Sequence, residues 1–116
     1  MPVPLLRRGI AKFGKVFLQL YAMTESAGGT TLHRHQHVLD GSEHERVRLG
    51  SIGQANRGVE VRIADDNGNT LPNGEVGEIA IKSKAVMNGY WNNSIATADV
   101  LRDGWYFTGD MGRMDE

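Results

Sequence analysis

Apolar and polar residues alternate with a period of two along residues 58–83. In "GVEVRIADDNGNTLPNGEVGEIAIKS", Val59, Val61 and Ile63 fall on one side and Glu60 and Arg62 on the other. A half-buried strand needs that period. "DDNGN" interrupts it with residues that accept positive φ cheaply, and "LPNGEVG" marks a second turn before "EIAIKS" alternates again. The pattern predicts a β-meander. "NNSIATADVLRDG" predicts a short helix, capped by Asn93 or Ser94 and closed by Asp103–Gly104. "WYFTGDMGRMDE" predicts a last strand that runs into a turn.

The first third of the chain has a different period. Leu6, Ile10, Phe13 and Phe17 recur at helical spacing, with Arg7, Arg8 and Lys12 opposite. Pro2 and Pro4 predict an extended or turned start. Gly9 weakens the helix and Gly14 is a natural stop. A strand is expected over Val16–Tyr21. Residues 28–57 are polar, hold four histidines and show no clear period, which predicts a functional or mobile loop. The expected fold class is therefore mainly β with short helices (α+β). It divides into residues 1–27 (helix and strand), 28–57 (polar loop) and 58–116 (β-meander).

Composition narrows the function classes. One domain's worth of chain, 116 residues, carries a formal charge of −1, so no global field draws it to nucleic acid or an acidic membrane. The charge is uneven: residues 1–58 sum to +4 and residues 59–116 to −5, most simply two solvated faces. With no cysteine, neither a disulfide framework nor a thiolate metal site is open to it, and a reducing, cytoplasmic location is expected. No apolar run approaches the roughly 20 residues that span a bilayer, and "MPVPLLRRGIAKFG" lacks the apolar core of a signal peptide.

Two stretches carry candidate chemistry. In "QLYAMTESAGG" a strand breaks off into Thr24, Glu25 and a Gly pair. A hydroxyl beside a carboxylate at a sheet rim suits a phosphate and a hard cation: the hydroxyl donates to phosphate oxygen and the carboxylate holds the metal. Ala22, Gly28 and Gly29 are small enough for close backbone approach. In "WYFTGD", Gly109 lets the backbone turn and leaves Asp110 projecting from a strand end, where a carboxylate could accept both ribose hydroxyls. Alone, each stretch reads more simply as a polar turn.

"YAMTE", "GEIAIKSKAVMNGYWNN" and "DGWYFTGD" occur in that order with a β-meander between them. Together they resemble the adenylate-forming superfamily of acyl-CoA synthetases, aryl-CoA ligases, luciferases and peptide-synthetase adenylation domains, in the style of the acyl-CoA ligases. The resemblance implies that Tyr21 stacks on adenine and Gln19 meets its amino edge. It implies that Thr24 bonds the α-phosphate, Glu25 ligates magnesium and Asp110 holds the ribose. Residues 22–29, Ala27, Gly28 and Gly29 among them, would line the acyl pocket. Ala22 stands where the family has Gly, narrowing that pocket, and Phe107 stands where relatives are often polar. The implied substrates are ATP, a small carboxylic acid and coenzyme A, with Mg2+ as cofactor. Residues 58–116 would belong to the family's distorted-barrel subdomain.

The family's Gly/Ser/Thr-rich phosphate loop and its C-terminal lysine are absent. The expectation is therefore an internal piece of a longer ligase, inactive in adenylation alone, and a homo-oligomer through exposed strand edges. Two other readings compete. "HRHQH" would place His33, His35 and His37 on one face of a strand, with His44 as a fourth ligand for zinc, nickel or copper. A non-catalytic binding module is the other. Met87, Met111 and Met114 are expected as core filling.

Overall fold

The computed structural model describes residues 1–115, and its fold is mainly β with short helices (α+β). It divides into two compact units that do not follow chain order. The first comprises residues 1–21 and 30–55, the second residues 22–29 and 56–115.

In the first unit, helix α1 spans Val3–Phe13. Pro4 sits in its first turn, where a missing N–H costs nothing, so the helix starts earlier than two prolines suggested. Its apolar stripe buries Leu6 and Ile10 against Leu49, with Val3, Phe17 and Leu39 around them. Gly9 has a packing reason: a Cβ there would meet the Phe17 ring at 2.8 Å. The expected strand is shorter than the pattern implied. Only Gln19–Tyr21 pairs (β1), while Val16, Leu18 and Leu20 stay 65%, 50% and 64% exposed. Strand β2 (Thr30–Leu32) lies antiparallel between β1 and β3 (Gln54–Ala55).

Residues 28–57 are therefore not a long loop. Besides β2 and β3 they hold a 3-10 turn at Arg34–Gln36 and helix α2 at Glu43–Arg48. Their elements are too short to show a period. Ser42 and Glu45 nonetheless form a capping box: the Glu45 N–H donates to the Ser42 hydroxyl, and the Ser42 N–H donates to the Glu45 carboxylate. Those bonds hold Glu45 below its ordinary pKa.

The second unit is built on an antiparallel sheet in the order β4–β5–β7–β6, formed by β4 (Val59–Ala64), β5 (Gly77–Ser83), β6 (Leu101–Arg102) and β7 (Trp105–Gly112). Both faces are covered where the strands are longest. Ile63, Ile79, Ile81 and Tyr106 are buried, and so are Ala64, Ala80 and Phe107 on the opposite face beside Trp105. Arg62 does not face open water, as alternation suggested: its guanidinium lies 4.2 Å from the centre of the Trp105 ring. The turn after β4 is held by Asp65, whose Oδ1 accepts the N–H groups of Asn67 and Asn69.

Helix α3 (Ser94–Val100) is capped by Asn93, which accepts the Ala96 N–H. It stops at Val100, because Leu101 and Arg102 pair with β7. Asp103 and Gly104, at φ 51° and 78°, make the tight hairpin turn between β6 and β7 and do not close the helix. Met111 and Met114 are exposed, so they do not fill the core.

Two left-handed glycines of the first unit separate conformational strain from steric strain. Gly53 (φ 87°) would place a Cβ inside the backbone of Thr31, whereas Gly14 (φ 77°) has nothing within 4 Å. Gly14→Ala should cost about 1–3 kcal/mol, because φ 77° with ψ −173° is a conformation open essentially to glycine. Gly53→Ala should cost roughly 2–5 kcal/mol as overpacking adds to a positive-φ penalty. Urea unfolding of the two variants checks the difference; equal losses would contradict the packing around β2.

Candidate functional site

Residues 22–29 leave β1 through one helical turn. The Ala27 N–H donates to the Met23 carbonyl at 2.9 Å, and Ala27 (φ 53°) and Gly28 (φ 138°) then reverse the chain. The Asn56 N–H closes the loop on the Gly29 carbonyl at 3.0 Å. Ala22, Thr24 and Ala27 are exposed, Glu25 and Gly28 half-buried, and Gly29 buried. A Cβ at Gly28 would meet only Asn56, at 3.9 Å, so space beside it is open.

Glu25 is held twice. Its backbone carbonyl accepts the Met87 N–H at 2.7 Å, and its Oε1 accepts the Tyr90 hydroxyl at 3.0 Å. The same bond, first among its causes, raises the Tyr90 pKa above 10.0, so the phenol keeps its proton. Tyr90 is fixed in turn. Its N–H donates to the Thr97 hydroxyl at 2.9 Å, which donates to the Asn93 carbonyl at 2.7 Å. Gly89 (φ 149°) lets this segment press against Thr97, where a Cβ would stand 2.8 Å from Cγ2. Asn88, Tyr90, Asn93 and Thr97 border an open cavity of about 450 Å³. Tyr90 belongs to "MNGYWNN", a stretch read only as a motif; a tyrosine next to a glycine carried no separate signal for a bond 65 residues away.

Asp110 lies inside β7, not at a strand end. Glu78 pairs with Met111 and Ala80 with Phe107, so two steps along β5 face four along β7. The resulting bulge contains Thr108, Gly109 (φ 77°) and Asp110. Bulges of this kind re-aim side chains. It is pinned by the Thr108 hydroxyl donating to the Ile79 carbonyl, the Gly109 N–H donating to Glu78 Oε1, and the Asp110 N–H donating to the Thr108 hydroxyl. Asp110 is exposed.

Thr24, Glu25, Ala27, Gly28, Gly29 and Asp110 thus share the second compact unit with Ala22, while Gln19 and Tyr21 belong to the first. Gln19 and Tyr21 stand two apart on β1, on the same side. Gln19 is buried, with its Nε2 3.4 Å from His37 Nε2. With the amide nitrogen donating, His37 Nε2 is the acceptor of this contact, the role of a neutral ring. Burial lowers its pKa in the same direction.

The histidines do not form a strand face. His33 and His35 stack at 5.7 Å on the exposed 3-10 turn, His37 is buried, and His44 contacts Arg48. Among the described residues no three His, Cys, Asp or Glu side chains could hold a metal together. No described helix is long and apolar enough to cross a membrane.

Comparison with known families identifies the AMP-binding enzymes. The chain belongs to that family, whose model matches residues 1–91. It is 40% identical over 102 residues to feruloyl-CoA synthase of an Amycolatopsis species, covering 88% of this chain and 19% of that protein. It is 40% identical over 116 residues to the long-chain-fatty-acid–CoA ligase FadD13 of Mycobacterium tuberculosis, covering 100% of this chain and 21% of that protein. The structure of amide bond synthetase McbA from Marinactinospora thermotolerans superposes with a TM-score of 0.88 at 36% identity, covering 99% of this chain and 22% of that one. Unliganded o-succinylbenzoate coenzyme A synthetase from Bacillus subtilis superposes with a TM-score of 0.82 at 34% identity, covering 99% and 22%. The chain spans about a fifth of the length of the relatives it matches.

His37 sets a pH dependence. Its folded pKa lies below 6.5, so below pH 6.5 the unfolded chain binds the proton that the folded chain refuses. Stability should be level above that pH and fall as pH drops from 6.5 to the lower folded value, by at most about 1.4 kcal/mol per pH unit. Denaturant unfolding from pH 7.5 to 5 of the parent and of His37→Gln checks this; equal pH slopes would contradict it.

Proposed function

We propose that this chain is the part of an ATP-dependent acyl-CoA ligase that presents the α-phosphate, cation and ribose contacts. The observation that carries the reading is the oriented Glu25 carboxylate on a loop beside the exposed Thr24 hydroxyl, in one compact unit with Asp110. In the reaction, a carboxylate oxygen bonds to the α-phosphorus of ATP, the α–β anhydride bond breaks and pyrophosphate leaves. A thiol, proposed to be that of coenzyme A, then attacks the acyl carbon and AMP leaves.

The donor set fits Mg2+. That ion takes one or two carboxylates and completes its shell with substrate phosphates and water, and Glu25 supplies one hard oxygen ligand. When bound, the ion neutralises charge between the two anionic reactants. Thr24 donates to an α-phosphate oxygen, and Asp110 accepts the ribose hydroxyls. Ala22, Ala27, Gly28 and Gly29 leave room for the acyl group. Positioning of this kind lowers the entropy cost of bringing the reactants together. The names of the relatives support both fatty and aryl acids as candidate substrates. A cytoplasmic site of action accords with the lack of cysteine.

ATP with Mg2+, and AMP, should raise the melting temperature; at ten times Kd the stabilisation is about 1.4 kcal/mol. Asp110→Ala should abolish the shift for both nucleotides, and Glu25→Gln only the part that requires Mg2+. ATP and a carboxylic acid should release no pyrophosphate from this polypeptide alone. An unchanged melting temperature with saturating ATP would contradict the reading.

A second copy of the chain is proposed to cover the exposed Val16, Leu18 and Leu20 side chains beside edge strand β1. Light scattering at tens of micromolar should give at least a dimer, and Leu18→Asp with Leu20→Asp a monomer. A monomeric parent would contradict it.

A further inference from the structure

Glu25 is held by more bonds than a turn residue needs. A carboxylate that served only to end a strand could rotate freely in water. Here its backbone is tied to Met87 and one of its oxygens to Tyr90, both in the second compact unit. Tyr90 is 36% exposed as a residue, so it is not a buried core side chain. What it supplies is the hydroxyl. Thr97 and Asn93 fix the Tyr90 backbone, so the residue that carries the phenol has an anchor independent of Glu25.

We propose that Tyr90 is a positioning residue for the cation site: by donating to Oε1 of Glu25 it leaves Oε2 as the oxygen offered to the metal, favouring Mg2+ over Ca2+. This rests on the reading of Glu25 as a cation ligand. A hydrogen bond to an ionised carboxylate is strong and directional. One donor on Oε1 disfavours bidentate coordination, which Ca2+ readily uses, and leaves the single-oxygen mode that suits the compact octahedral shell of Mg2+. Partners that orient a ligating carboxylate are typically worth 10–100-fold in metal affinity. Among the described residues no cage of three acidic or imidazole ligands exists, so the cation must arrive with phosphate oxygens from the nucleotide. The orientation of one carboxylate therefore has a large share in selecting it.

The test uses the whole 116-residue chain, labelled with 15N and titrated with Mn2+ in the presence of ATP, reading paramagnetic broadening of the backbone amides of Glu25, Ser26 and Ala27. Mg2+ and Ca2+ are then added as competitors. In Tyr90→Phe, which keeps the ring, the Mn2+ concentration for half-broadening should rise about tenfold. The preference for Mg2+ over Ca2+ in displacing Mn2+ should shrink. The exposed Asp65 turn is the internal control, and its weak broadening should not change. An unaltered midpoint and an unaltered Mg2+/Ca2+ preference in Tyr90→Phe would overturn the role of Tyr90. Glu25→Gln separates the two levels: local broadening that persists in that variant, or that never occurs in the parent, overturns the reading of Glu25 and the inference with it.

Discussion

The second compact unit turns on a latch that joins parts of the chain far apart in sequence. The Met87 N–H and the Tyr90 hydroxyl both end on Glu25, one on its carbonyl and one on its carboxylate. Backbone bonds alone would fix where the loop lies but leave the carboxylate free to rotate. The phenol alone would orient the carboxylate on a loop that drifts. With both, a short loop containing Ala27 in a left-handed conformation and two glycines keeps a defined shape. The latch depends in turn on Thr97, whose hydroxyl accepts from Tyr90 and donates back to Asn93. A helix of seven residues thereby bears, through Thr97 and Tyr90, on the direction of the Glu25 carboxylate.

The bulge in β7 meets a similar demand by another route. A regular strand across from β5 would alternate its side chains without exception. Extra residues between Phe107 and Met111 break that alternation, and Gly109 adopts the positive φ that the detour requires. Glu78 and Thr108 then saturate the backbone groups released by the lost pairing. Asp110 is carried on this detour with its backbone already bonded. Glu25 and Asp110, the two acidic candidates, thus sit where local hydrogen bonds replace the freedom of an ordinary loop.

Strong periodicity was legible in the sequence and weak periodicity was not. Leu6 and Ile10 marked the buried stripe of α1, and Val59–Ile63 and Ile79–Ile81 marked the paired strands, because each repeats one spacing for several residues. Residues 28–57 showed no period because their strands have two or three residues each and their helix six. Ser42 three positions before Glu45 was a helix-start signal present in that stretch all the same. Asp103–Gly104 is an equally good signal for a helix stop and a hairpin turn, and the pairing of Leu101 and Arg102 with β7 decided between them. For the proposed site, residue types singled out Thr24, Glu25 and Asp110 as candidates. Tyr90 stayed hidden because its role lies in a contact across 65 positions that no local pattern encodes.

The latch is the claim on which the site rests, and it has a direct spectroscopic signature. A through-hydrogen-bond scalar coupling between the Met87 amide nitrogen and the Glu25 carbonyl carbon, measured on 13C,15N-labelled chain, reports that bond and no other. The account predicts a resolvable coupling and slow hydrogen exchange at Met87. No coupling, with Met87 exchanging at the rate of an open loop, would contradict it.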